Sequence, residues 1–183
     1  MKSRARIILQ PVGGISYDID SVASMVREAL EDALGPGSVE VAYSIWDMGA
    51  PVEAFNWKRR QYDAVEINKR LYEAYREFVE DGVLVVAIVE GDGYVGDFNF
   101  VFGLAMPEIG VASVYASRLR GDYYAERLAK EVVHETGHLL GLKHCSNPSC
   151  VMSFSNSVSE VDSKNKYFCE SCKLELSKSL KNS

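Results

Sequence analysis

The chain has 183 residues, 47% of them hydrophobic, and a formal net charge of −6. That length suits one domain, or one domain with a small appended subdomain, and the apolar fraction is ample for a core. The acidic balance argues against a nucleic-acid-binding surface spread over the whole molecule, and the longest apolar run, Val83 to Val89, is far short of the roughly 20 residues a membrane helix needs.

The basic start, Met1 to Arg6, is followed only by Ile7, Ile8 and Leu9 before Gln10 and Pro11 interrupt. No export signal is legible there, and a soluble, cytoplasmic protein is expected. Arg4 to Gln10 reads as a first strand. A helix follows, capped by Asp20 or Ser21, with Val22, Met25, Val26, Ala29 and Leu30 on its apolar face and Gly35-Pro36-Gly37 at its end. Val39 to Trp46 alternates as a second strand. Asp47 to Lys58 has no clean period and reads as a loop before a long helix, about Asp63 to Glu80. Val65, Leu71, Tyr72, Tyr75, Phe78 and Val79 would form the buried side of that helix.

Val83 to Val89 is a continuous apolar strand of the kind buried on both faces. The glycines 91, 93 and 96 behind it match the dinucleotide-binding spacing, but Phe98 to Ala105 is rich in strand formers where that motif needs a helix N-terminus. A surface loop is expected instead. Phe100 to Ala105 and Val111 to Ser117 read as two successive strands. Alternating strands and helices followed by two strands in a row imply an α+β fold with a mixed sheet and an antiparallel member at an edge. Such an edge could take up an extended peptide, although ordinary sheet packing would explain the same residues.

From Asp122 a helical pattern resumes, with Leu128, Val132, Val133, Leu139 and Leu140 on its apolar side. All three histidines of the chain lie at its end, as His134-Glu135-Thr136-Gly137-His138 and, six residues on, His144. Residues four apart share a helix face, so His134 and His138 can address one ion while Glu135 lies beside it. Gly141 allows the chain to reverse and bring in His144 as a third ligand. Three protein ligands and one open position describe a catalytic zinc, and the adjacent carboxylate suits a general base for attacking water. A zinc site without turnover remains the alternative. Gly137 costs the helix about 1 kcal/mol relative to alanine, which suggests close approach of another segment.

All four cysteines fall in the last quarter, as Cys145 and Cys150, then Cys169 and Cys172. Two close pairs in an intracellular chain read as a four-thiolate structural zinc site, with two disulfides as the disfavoured alternative. Lysines 164, 166, 173, 178 and 181 outnumber the nearby acids and read as a solvated face.

The histidine motif with its glycine resembles the metzincin clan of zinc peptidases, and Met152, two residues after Cys150, matches the methionine of that clan's Met-turn. Cys145 directly after His144, followed by Cys150, Met152 and the distal cysteine pair, resembles the archaemetzincin family. Arg60-Gln61-Tyr62, Asn99 to Gly103 and Ser117-Arg118-Leu119 extend the likeness upstream. The resemblance implies a metzincin-like zincin domain with a twisted mixed sheet and an active-site helix. Residues 1–141 would form an N-terminal subdomain above the cleft, and 142–183 a small C-terminal subdomain holding the four-cysteine zinc. It further implies catalytic zinc on His134, His138 and His144, Glu135 as general base and acid, and two zinc ions per chain. Peptides are the expected substrates, because the chain is too short for elaborate substrate-selecting domains, and a monomer is expected. One departure is Phe154: in several metzincin families a tyrosine stands two residues after the turn methionine and can stabilise the transition state. A phenyl ring donates no hydrogen bond, so slow or narrowly selective hydrolysis is expected.

Overall fold

The computed structural model describes residues 4–179, so the basic start over residues 1–3 and Lys181 lie outside the described residues. Strand β1 (Ala5–Val12) leads into helix α1 (Ile19–Leu34) and strand β2 (Val39–Tyr43). Short strands β3 (Phe55–Asn56) and β4 (Gln61–Asp63) precede helix α2 (Ala64–Glu80). Strands β5 (Val83–Val89), β6 (Gly93–Tyr94), β7 (Gly103–Met106) and β8 (Val111–Tyr115) follow. Helices α3 (Tyr124–Leu139), α4 (Val158–Ser163) and α5 (Glu170–Ser179) complete the described chain.

The main sheet has the order β2-β1-β5-β8-β7. Its first four strands are parallel, and β7 pairs antiparallel to β8 at the outer edge, Gly103 opposite Val114 and Met106 opposite Val111. This is the mixed sheet with an antiparallel edge strand that the strand pattern implies. The apolar run of β5 serves two cores because successive side chains point to opposite faces. Val86 and Ile88 pack with α1 and α3, whereas Val85, Ala87 and Val89 pack with Ala64, Ile67 and Leu71 of α2. The sheet is therefore covered on both sides, as a parallel sheet requires. Buried side chains of the last third, among them Val151, Met152, Val161, Phe168 and Leu176, join the α1–α3 core.

Several boundaries differ from the sequence reading for physical reasons. The cap of α1 is Asp18, whose carboxylate accepts from Ser21 N–H at 3.2 Å, and not Asp20 or Ser21. Met25 is only partly buried, and Ala23 takes the interior position. On α2 the buried residues are Ala64, Ile67, Asn68 and Leu71, while Phe78 is exposed. The second strand ends at Tyr43, and the first runs on to Val12 because it pairs with β5 from Arg6 to Val12. The stretch from Asp47 to Lys58 is not all loop: β3 within it joins β4 and β6 in a second, three-stranded sheet. No helix follows Gly96, and residues 98–102 reach strand β7 only at Gly103.

Candidate functional site

Helix α3 carries the first two histidines into the base of an open cleft. His134 is buried, His138 half-buried, and His144 exposed where the chain returns after Gly141, which adopts a φ of 96°. The three side chains converge, each offering a ring nitrogen within 4.8 Å of the others. Two main-chain carbonyls orient the helical pair. His134 Nδ1 donates to Val151 O at 2.7 Å and His138 Nδ1 donates to Leu142 O at 2.8 Å. A carbonyl can only accept, so the proton of each neutral ring sits on Nδ1 and the Nε2 lone pair is bare. The two Nε2 atoms then face each other at 3.1 Å. Two lone pairs that close repel unless an electrophile lies between them.

Burial, followed by the positive charge of Lys164, pushes the ionisation of His134 well below its ordinary value; burial does the same, less strongly, for His138 and His144. Neutral imidazole is the form that binds metal. Ligands at about 2.0–2.1 Å in a tetrahedron stand roughly 3.3 Å apart, close to the observed separation, so this donor set fits zinc.

Glu135 is 5% exposed and lies beside the histidines. Burial, reinforced by Glu131, raises its carboxyl well above the ordinary carboxylate range, and the Ala105 N–H that donates to it works the other way. Edge strand β7 comes so close that a Cβ at Gly103 would collide with the Glu135 carboxylate. Gly103 and Ala105 thus shape the site, although hydrophobic patterning gave neither a role. For Gly103 the cues were a glycine inside a strand-like run and its place in the stretch that carries the family likeness.

Gly137 meets the close approach its position suggests. A Cβ there would run into Met152 Sδ and lie 3.1 Å from Phe168. Met152 is fully buried, and the adjacent Val151 supplies the carbonyl that orients His134. Gly137→Ala is accordingly expected to lower the melting temperature, with overpacking costing about 1–3 kcal/mol against a gain of about 1 kcal/mol in helix propensity. A variant more stable than wild type in urea titration would show that the contact gives way.

The four cysteines form a second cluster, with donor atoms likewise within 4.8 Å of one another. They are unbridged, Cys145 Sγ lying 3.7 Å from Cys169 Sγ and Cys150 Sγ 3.8 Å from Cys172 Sγ. A disulfide needs about 2.05 Å. Four thiolates around zinc at about 2.3 Å stand about 3.8 Å apart, so these separations match a tetrahedral site. Main-chain N–H groups support the sulfurs: Asn147 N donates to Cys145 Sγ at 3.4 Å and Cys169 N to Cys150 Sγ at 3.3 Å.

Above the histidines the cleft encloses about 680 Å³. Phe98, Phe100, Phe102, Leu142 and Phe154 give it an apolar lining. Phe154 packs on His144, ring centroids 5.1 Å apart, and brings no donor to the site. Lysine 164 does not belong to a solvated face: it is 2% exposed. Lys166 and Lys173 are engaged by Glu28 and Asp32, while Lys178 is exposed.

The sequence model of Peptidase family M54 matches residues 33–178. An archaemetzincin of Aeropyrum pernix is 43% identical over 184 residues, covering 96% of this chain and 95% of that protein. The crystal structure of an archaemetzincin from Methanopyrus kandleri superposes with a TM-score of 0.81 at 31% identity, covering 97% of this chain and 96% of that one. A zinc-dependent peptidase from Methanocorpusculum labreanum superposes with a TM-score of 0.75 at 32% identity over 93% of this chain and 99% of its own. With a family model spanning most of the sequence and a relative of this identity along nearly its whole length, the chain belongs to peptidase family M54, the archaemetzincins, and is a zinc metallopeptidase.

Proposed function

We propose that the chain hydrolyses peptide bonds in peptides, using His134, His138 and His144 as zinc ligands and Glu135 as general base and acid. The observation that carries this reading is the facing pair of bare Nε2 atoms beside a buried carboxyl group, at the base of an open cleft. Zinc held there would polarise the scissile carbonyl and lower the pKa of water at the site. Glu135 would accept a proton from the attacking water on a carboxylate oxygen and return it to the leaving amine nitrogen as the C–N bond breaks. Its desolvated setting favours the protonated form needed for that return, while a nearby cation favours the ionised form needed first. Strand β7 is paired on one side only, and an extended peptide could align with groups its Ala105 N–H bond to Glu135 leaves free.

The four cysteines would hold a second, structural zinc that fixes residues 142–183 as a small subdomain beneath the cleft. Met152 would act as the Met-turn methionine, giving the ligand histidines a rigid support. Unbridged cysteines suit a reducing compartment, and we place the protein in the cytoplasm as a monomer acting on peptides. Among the described residues no helix is long and apolar enough to cross a membrane. Phe154 favours slow turnover, because the oxyanion would receive no side-chain donor from that position.

The test is digestion of a diverse peptide library by zinc-loaded protein, with products read by mass spectrometry. Cleavage that depends on the metal supports the reading, and product lengths separate internal from terminal cutting. No cleavage by fully loaded protein would transfer weight to a zinc-containing binding module. Metal analysis gives a further expectation of two zincs per chain. A chelator should strip the open three-histidine site first, and loss of the second ion should loosen the C-terminal region. Saturation at one zinc per chain would contradict the two-site reading.

A further inference from the structure

Three stretches that extend the family likeness lie outside both clusters: Arg60 to Tyr62, Asn99 to Gly103, and Ser117 to Leu119. In the fold they meet around one wall of the cleft. Val95 and residues 98–102 line that wall, yet the segment has little regular structure of its own; Val101 N–H donates to Gly93 O at 2.9 Å in an isolated bridge. Side chains from the small sheet hold its carbonyls. Gln61 Nε2 donates to Asn99 O at 2.8 Å, and Arg59 Nη2 donates to Phe98 O and, at 3.3 Å, to Asn99 O.

These two side chains are themselves fixed. Arg59 Nε donates to Gln61 Oε1 at 2.9 Å, and Gln61 Nε2 also donates to Asp92 Oδ2 at 2.9 Å. Asp92 in turn accepts both arms of the Arg118 guanidinium, each at 2.7 Å. The Arg118 guanidinium carbon lies over the Phe100 ring, 4.1 Å from its centroid. Main chain at 98 and 99 and the ring at 100 are thus anchored through one connected set of bonds. Gln61 is 6% exposed and its amide is fully used, so it has no other hydrogen-bonding work. The Arg118 side of the Arg118–Asp92 fork is 42% exposed, and ion pairs open to solvent add little to global stability. Its consequence should therefore be local, in the wall it holds. A forked, stacked guanidinium does this in a way an ammonium does not.

We infer that Arg59, Gln61, Asp92 and Arg118 form a clasp that positions the cleft wall at residues 98–102 to seat an apolar side chain of the bound peptide. The clasp residues touch no reacting atom; they are positioning residues. This rests on the peptide-hydrolase reading above, and so its test has an arm that needs no turnover.

Zinc-loaded full-length Arg118→Lys and Asp92→Asn are compared with wild type in two ways. Amide hydrogen exchange should rise about tenfold at Phe98 and Val101 and stay unchanged along α3, because only the wall is released. KM should rise about tenfold for a cleaved peptide with kcat within about threefold, and the penalty should vanish when glycine replaces one particular residue of that peptide. Phe100→Leu, which keeps the fork but removes the ring under Arg118, should reproduce the glycine-relieved KM effect. Unchanged exchange in the wall overturns the clasp. A KM penalty that glycine relieves at no position, or a fall in kcat alone, overturns its role in seating the side chain. A wild type that cleaves nothing sinks the hydrolase reading and with it the substrate role, while the exchange arm still decides whether the clasp holds the wall.

Discussion

Replacing Glu135 by alanine is expected to lower kcat by about 10²–10⁴-fold, the range a positioned general base supplies, while zinc content and peptide affinity stay near wild type. The geometry separates these effects. Glu135 is not among the three convergent nitrogen donors, and it takes no part in the bonds that orient His134 and His138. Its carboxylate instead accepts from Ala105 N–H under Gly103. Alanine would take away the acceptor of that partly buried N–H, at a cost of about 0.5–1.5 kcal/mol, so a loss of activity could be confused with a loosened edge strand. Glu135→Gln resolves the ambiguity because its amide oxygen still accepts from Ala105 while the group can no longer take up a proton. Both variants should show that loss in kcat, and the glutamine form should melt close to wild type. A kcat within about tenfold of wild type in zinc-loaded Glu135→Gln would remove Glu135 from the role of base.

The histidine and cysteine clusters were legible because metal coordination imposes spacing that few other constraints imitate. The helix repeat brings His134 and His138 together, and Gly141 permits the return of His144. The antiparallel edge was legible too, since two strands in succession after Val89 leave short room for a crossover. What escaped was of two kinds. Strands β3, β4 and β6 span two or three residues each, too few for a period to show, and side chains such as Arg59 and Gln61 tie them to the cleft wall. Charged residues at buried positions were invisible for a different reason. Lysine in a run with other lysines reads as solvated, and nothing local reveals that a partner about thirty residues upstream will receive it. Lys164 opposite Glu131 is that case.

Lys164→Met is expected to destabilise the protein by about 3–5 kcal/mol, the usual cost of leaving one member of a buried pair uncompensated. Lys164 Nζ stands 2.8 Å from Glu131 Oε1, and the two side chains are 1% and 4% exposed. The contact is an ion pair without good hydrogen-bond alignment, since Glu131 Oε1 has no hydrogen-bond partner, and Lys164 Nζ has only a long 3.5 Å bond to Ser153 O. Charge is therefore the main thing each residue gives the other. Glu131 sits one helical turn before Glu135 on α3, and Lys164 follows α4, so the pair ties the chain beyond Met152 to the helix that carries the histidines. Removing both charges should cost far less than removing one. Glu131→Leu combined with Lys164→Met should regain most of the loss, and the cycle of single and double variants in urea unfolding measures the coupling. The same cycle carries a signal at the active site, because the Lys164 charge helps keep His134, His138 and His144 in the neutral form. Lys164→Met should therefore make the metal-free histidines easier to protonate, shifting their NMR titrations to higher pH. If the single variant unfolds at the wild-type urea midpoint, the pair is not the buried tie between the two segments that its geometry describes.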